Sequence, residues 1–276
     1  MKIRGFSVVT GAKHARYFEE HCLRSACQEE NLRALRDVEF EWHVYTDAPR
    51  LRLPDTLHFV VKPAVEQTVA LMEAVASCQE RDQRLLMAPP DTFFGDGSLR
   101  SLIECAYGHD TSVAAPHVRV VATEFERRLP AGRVPNPELV SIAFDSLHGS
   151  WKDSFVGKNP SRSFFGGVVV KQINEKLYVV QHMLPTYFLA RFLEEDVKFF
   201  ERGQSQDWDW RWPEYTALDG RHRVICSSDA FFAVELTDPG SNLAELSPKR
   251  PVVDDFYESC VHNLVNRQML CVFRRA

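Results

Sequence analysis

The chain has no run of about 18 apolar residues, so the sequence predicts no transmembrane helix. Its first residues, Met1-Lys2-Ile3-Arg4-Gly5, lack the apolar stretch of a secretory signal, and a cytoplasmic location is the expectation. No two cysteines form a C-x-x-C pair; the seven are scattered at Cys22, Cys27, Cys78, Cys105, Cys226, Cys260 and Cys271. That spacing argues against a structural zinc site and predicts reduced, mostly buried thiols. Neither sign of charge dominates: 26% of residues are charged and the net charge is −5. A nucleic-acid partner is not indicated, because no basic stripe is present beyond local groups such as Arg119, Arg127 and Arg128. The patterns G-x-G-x-x-G, G-x-x-x-x-G-K-[ST], H-E-x-x-H and G-x-S-x-G are all missing, which sets aside several large enzyme classes. Internal repeats and low-complexity tracts are missing too.

What is present is enough apolar material for a large core, 45% of 276 residues. Residues 6–10 read as a strand, 13–34 as a helix, 39–46 and 58–61 as strands, and 67–78 as a helix. A strand at 84–88, a Ser-capped helix at 98–107 and a strand at 112–115 complete a β-α-β-β-α-β-α-β order. That rhythm predicts an α/β domain with a mostly parallel central sheet covered by helices. The C-terminal half is less regular. Residues 130–137 are Pro/Gly-rich and read as a linker or loop, 164–170 as a strand, 189–200 as a helix, 224–236 as two apolar runs, and 254–275 as an amphipathic helix.

The most informative stretch is Leu85-Leu86-Met87-Ala88-Pro89-Pro90-Asp91-Thr92-Phe93-Phe94-Gly95-Asp96-Gly97. Proline cannot donate to a sheet ladder, so the strand must stop near Ala88 and Asp91 must lie at or just past its carboxyl end. Ligands of open α/β sheets bind outside such ends. Asp91 can therefore hold a metal, a sugar hydroxyl or a ribose, or it can simply shape the turn.

Four segments in this order resemble nucleotide-sugar-dependent glycosyltransferases of the GT-A fold. Val44-Tyr45-Thr46-Asp47 looks like the nucleotide-side strand end of that family, and Ala88-Pro89-Pro90-Asp91 lies where the family keeps an acidic, metal-binding motif. Phe164-Phe165-Gly166-Gly167 resembles the strand lining the donor sugar, and Trp212-Pro213-Glu214 resembles the later Trp/acidic segment that faces the reacting sugar. The resemblance implies a single GT-A-like Rossmann-type domain over 1–276, with a nucleotide-binding half at 1–125 and a donor-sugar and acceptor half at 138–276. It implies catalytic roles for Asp91 and Glu214. It places Thr10, Thr46, Asp47, Gly166, Gly167, His182 and Trp212 around the donor, and Asp91 on Mn2+ or Mg2+. The donor would be a nucleotide-diphosphate sugar; the acceptor is not specified. The usual motif carries two acids, whereas this chain has Asp91 alone, with Asp96 following closely.

The chemistry asks for neutralisation of a diphosphate leaving group by a metal or a cation clamp, for which Lys13, Arg119, Lys158 and Arg162 are alternatives to Asp91 with a metal. It also asks for a carboxylate near the oxocarbenium-like sugar, for which Asp209 and Asp229 stand beside Glu214. Trp208, Trp210 and Trp212 alternate and share a face if extended, suited to a sugar or to packing a second lobe. Gly166-Gly167 permits close approach to a ligand or marks a bulge. His148 and His182 fit a site or a hydrogen-bonded core, and Ser227-Ser228-Asp229 fits a helix cap as well as a site. A non-catalytic binder of nucleotide or carbohydrate on the same fold is the competing reading; a hydrolase or phosphotransferase using Asp91 is a third.

Overall fold

The computed structural model describes residues 1–109, 111–115, 117–152, 154–155, 168–182, 186–201, 220–239 and 270–276. The chain divides into two compact units, 1–114 with 187–223, and 115–186 with 224–276.

In the first unit the elements run β1 (Lys2–Val9), α1 (Gly11–Tyr17), a π-helical turn (Phe18–Leu23), α2 (Arg24–Ala26), α3 (Glu29–Arg36), β2 (Glu39–Thr46) and β3 (Phe59–Pro63). They continue with α4 (Gln67–Glu80), β4 (Arg84–Met87), β5 (Thr92–Phe94), α5 (Ser98–Ala106) and β6 (Ser112–Ala115). Among the described residues β11 (His222–Val224), β6, β10 (Thr186–Arg191), β4, β1, β2 and β3 form one sheet in that order. Strands β4, β1, β2 and β3 are mutually parallel, and β10 runs antiparallel on β4. The sheet is thus mostly parallel, as expected. Its central strands are buried on both faces over residues 3–7 and 84–87, which is why Leu85-Leu86-Met87 reads as an apolar run rather than an alternation. Trp42 is the hub of the core. Its ring meets Phe18 and Phe40 edge-on and stacks on Phe59 at 5.9 Å.

The second unit holds β7 (His117–Val121), α6 (Ala122–Arg128), α7 (Asn136–Asp145), α8 (Gly149–Lys152), β8 (Val168–Asn174), β9 (Leu177–His182), β12 (Ala233–Thr237) and β13 (Leu270–Arg274). β12 pairs in parallel with β7, and β13, β9 and β8 form an antiparallel sheet in that order. Phe144 of α7 seats this sheet, with its ring 4.2 Å from Tyr178 and 6.1 Å from Phe273.

Three expectations are corrected. Residues 189–191 are strand, not helix: Tyr187–Ala190 is wholly buried and Leu189 pairs with Leu86, so tertiary pairing overrides helix propensity. α9 (Glu194–Phe199) starts only where Glu194, Glu195 and Asp196 fill its first turn. Residues 270–274 are also strand, with Cys271 and Phe273 buried while Leu270 and Arg274 are exposed. Residues 13–34 are not one helix. The helical run breaks at Cys27-Gln28, where Gln28 adopts extended backbone before α3. The six described cysteines form no disulfide.

Candidate functional site

The chain leaves β1 outward through β2 and β3, then returns to the other side of β1 as β4. The reversal makes a switch point between β1 and β4, the place where open parallel sheets hold ligands outside their carboxyl ends. Val9 pairs with Thr46, and the Ala88 amide donates to the Phe6 carbonyl at 3.1 Å. Thr10, Thr46-Asp47 and Ala88 therefore share one rim. With strands about 4.8 Å apart, its outer members stand about 10 Å apart, within reach of a single nucleotide. A side-chain relay holds the three strands together just below that rim. Trp42 Nε1 of β2 donates to Ser7 Oγ of β1 at 2.9 Å, and Ser7 Oγ donates to the Ala88 carbonyl at the end of β4.

Asp47 accepts from the Gly11 amide at 2.8 Å through Oδ1 and so satisfies one orphan donor at the start of α1. Gly11 has φ +73°, a conformation that other residues adopt at a cost. Thr46 is buried, and its Oγ1 accepts from the Ala48 amide at 3.0 Å. Thr10 is exposed at the N-cap of α1 and makes no side-chain cap. Beside this point lies a cavity of about 460 Å3 whose lining includes Gly11, Arg16, Asp47, Arg50 and Arg52. Arg52 Nε donates to Glu19 at 2.6 Å, and that bond raises the guanidinium pKa. Arg16 pairs with Glu20 at 3.3 Å, whereas Arg50 makes no ion pair among the described residues. Sequence reasoning missed these three arginines. The signal was available, since Arg50-x-Arg52 follows the Asp47-Ala48-Pro49 turn directly.

Asp91 is the third residue of a turn closed by the Thr92 amide on the Pro89 carbonyl at 3.1 Å, with Pro90 at the position proline favours. It is half-buried. Burial pushes the Cys22 thiol well above its usual range, and the Asp91 charge adds to that rise. The carboxylate thus stands near Cys22 of the helical run, on the turn that follows β4. Asp96 does something else. It is 5% exposed, and its Oδ1 accepts from the amides of Glu30 at 2.9 Å and Asn31 at 3.2 Å. These are the second and third residues of α3, whose own N-cap residue Gln28 makes no side-chain cap. Asn31 returns the favour, its Oδ1 accepting from Gly97 at 3.0 Å and Leu99 at 2.9 Å at the start of α5. Asp96 is therefore a helix cap, not a second acid beside Asp91. Among the described residues no three His, Cys, Asp or Glu side chains are grouped as a metal site.

In the second unit Arg119 Nε and His117 Nε2 both bond Glu235 Oε2 at 2.9 Å. His148 Nδ1 contacts Ser150 Oγ at 2.9 Å, and burial, then Arg119, lowers its pKa. Asp229 pairs with Arg274 at 3.1 Å and closes a turn with Ser227 rather than capping a helix. The His182 backbone lies on β9 opposite Val168. Lys13, in the first unit, lies 5.4 Å over the Tyr17 ring. Lys158, Arg162, Gly166, Gly167, Trp208, Asp209, Trp210, Trp212 and Glu214 lie outside the described residues.

No family model matches the chain, and no curated protein matches it. Among solved structures, mannose-1-phosphate geranyltransferase from Thermus thermophilus aligns at 13% identity and a TM-score of 0.29, covering 100% of this chain and 74% of that one. A likeness of that degree carries no argument about fold or activity.

Proposed function

We propose that the protein is a glycosyltransferase that takes a sugar from a nucleotide-diphosphate donor bound at the β1/β4 switch point. The observation that carries this reading is the shared rim of Thr10, Asp47 and the Asp91 turn, next to a cavity lined by Arg16, Arg50 and Arg52. The nucleotide occupies the rim, with Thr10, Thr46 and Asp47 as its polar contacts. The arginines face the diphosphate, whose charge grows as the bond from sugar C1 to the phosphate oxygen breaks. Gly166, Gly167, His182 and Trp212 are assigned to the sugar, and Glu214 to its developing positive charge. The acceptor hydroxyl forms the new bond to C1 and gives its proton to a base. The nucleotide belongs to residues 1–125 and the sugar and acceptor to 138–276 of one functional domain.

A divalent ion, Mn2+ or Mg2+, suits Asp91 as a hard oxygen ligand. One carboxylate with the donor's phosphates and waters is a donor set that Mg2+ accepts, although it is not a cage of protein ligands. Such an ion would supply charge neutralisation at the diphosphate. The second reading, a non-catalytic nucleotide or carbohydrate binder, is favoured by one observation: Asp96 is spent on α3, which leaves the motif a single acid.

The test is a panel of nucleotide sugars, followed by thermal shift and by release of nucleoside diphosphate, with and without Mn2+. Glycosyl transfer predicts binding of one donor, and turnover that falls about 100-fold or more in Asp91→Asn. Binding without turnover in the wild type selects the non-catalytic reading. Failure of every donor to bind overturns the first reading and the nucleotide-binding form of the second.

A further inference from the structure

The opposite rim of the same sheet carries a second cavity, of about 590 Å3, where β1 and β4 begin and β10 ends. Strand β1 is eight residues long, so at about 3.3 Å per residue this rim is about 25 Å from the first. Its lining includes Lys2, Arg81, Arg84, Arg191 and Tyr107. Asp82 is the one carboxylate among the lining residues; it is 84% exposed and pairs with Arg191 at 3.2 Å. Four cations against one lining acid, with Lys2 also 3.8 Å from Glu39, leave a local excess of positive charge in a chain whose net charge is −5.

Arg84 makes the site more than a basic surface. It is 7% exposed, and its guanidinium donates to three backbone carbonyls, those of Ala106 at 3.4 Å, His109 and Thr111. Among the described residues it makes no ion pair. A buried charge whose counter-charge is one exposed carboxylate, Asp82, is costly even when its hydrogen bonds are made. The register sets Arg191 directly opposite Arg84 on the neighbouring antiparallel strand, and like charges in that relation repel. Burial, then Arg191, holds the Arg84 pKa down at about 10, and the exposed Asp82 offsets that only in part. Arg81 is exposed and also makes no ion pair among the described residues. Arg223 contacts His109 Nδ1 at 3.2 Å and extends the positive edge, while Tyr107 offers a ring 66% exposed. Nothing in the activity proposed above uses these groups.

We propose that this cavity is a binding site for a small diphosphate-type anion, met by Arg81, Arg191 and Lys2, with Arg84 as fixed charge beneath them. The planar fork of arginine suits paired phosphate oxygens, and charge-assisted bonds to such oxygens are the stronger kind. Bound anion would relieve the Arg84/Arg191 repulsion and add to the single counter-charge of Asp82. The inference is independent of the glycosyltransferase reading.

The experiment titrates inorganic pyrophosphate into the full chain by calorimetry, with sulfate at matched ionic strength as the control. The expected result is saturable binding that sulfate does not reproduce, weakened about tenfold or more by Arg81→Ala and by Arg191→Ala. Both side chains reach solvent, so these variants are suited to retaining the fold, which circular dichroism checks. Arg33→Ala, an exposed guanidinium that lines neither cavity, should leave the affinity unchanged. A second readout is amide exchange in residues 106–109, which should slow when pyrophosphate is added to the wild type. No saturable binding, binding equalled by sulfate, or binding lost in Arg50→Ala, at the other rim, but kept in Arg81→Ala and Arg191→Ala would overturn the proposal.

Discussion

Replacing Asp96 by Ala separates structural from functional acid in the Asp91-to-Gly97 segment. The substitution removes the acceptor of two amides at the start of α3, those of Glu30 and Asn31. Water has poor access to both, since Asn31 is fully buried and the Glu30 side chain is only 16% exposed. Leaving a buried donor without its partner costs about 1–3 kcal/mol, so the pair amounts to about 2–6 kcal/mol. A carboxylate at a helix N-terminus also loses its favourable dipole interaction, about 0.3–1 kcal/mol. Against a total stability of about 5–15 kcal/mol, and a urea slope of about 3 kcal/mol/M for a chain of this size, the midpoint of the first unit's transition should fall by about 1 M or more. Asp96→Asn keeps an oxygen acceptor in the same place and should cost only about 1 kcal/mol, since Asn caps nearly as well as Asp. The assay is urea unfolding followed by far-UV circular dichroism and tryptophan fluorescence, run in chelator and in Mn2+. If Asp96→Ala unfolds with the wild type in chelator, or loses stability only in Mn2+, Asp96 is not a cap and the segment holds paired acids after all.

Two further outcomes follow from the packing. Burial alone would raise the Glu235 carboxyl, but His117 and Arg119 overcome it and hold the pKa at about 2. The folded value lies below the unfolded value near 4.3, so this contribution is complete above about pH 4.5 and is lost as the pH falls toward 2. Melting temperatures measured across that window should decline less steeply in Glu235→Gln than in the wild type; parallel curves would refute the assignment. Gly5→Ala would bring a Cβ to 2.9 Å from Trp42 Cγ and 3.0 Å from Phe40 Cζ, so it should lower stability by about 1–3 kcal/mol. An unchanged urea midpoint would show that the aromatic cluster yields freely.

Much of the first unit could be read in the sequence because two-sided burial of parallel strands writes apolar runs ended by turn residues. Leu85-Leu86-Met87 before Pro89 is of that kind, residues 39–46 are legible from the alternation of Phe40, Trp42 and Val44 before Asp47, and the two strand ends do share a rim. Strand β10 was hidden for the same reason. A buried run around Leu189 looks alike in helix and strand, and only its pairing with Leu86 decides. Strand β13 was hidden by length, its two-residue period covering only five positions at the end of a stretch with helical spacing. The capping role of Asp96 had no local signal at all, because its partners lie 65 and 66 residues away in the chain. The guanidiniums of Arg81, Arg84 and Arg191 converge only once β4 and β10 are paired, so no spacing rule could have found them.

The position of Asp91 is itself a product of the core. Gly5 has no side chain, so the Trp42 ring paired beside it can settle against β1. From there its Nε1 reaches Ser7, and the Ser7 hydroxyl is thereby turned toward the Ala88 carbonyl. Ala88 is the last residue before two prolines that cannot donate to the sheet, so its backbone is the final point at which β4 is held. The Pro89–Thr92 turn, with the carboxylate at its third position, follows directly on that bond. Substitution of Trp42 by Phe keeps an aromatic ring but deletes the donor to Ser7. Because Trp42 is also the fully buried hub of the aromatic cluster, the stability loss should exceed the about 0.5–1.5 kcal/mol of one neutral hydrogen bond, the remainder being the cavity left by the smaller ring; a urea midpoint shift no larger than that single bond would refute the hub role.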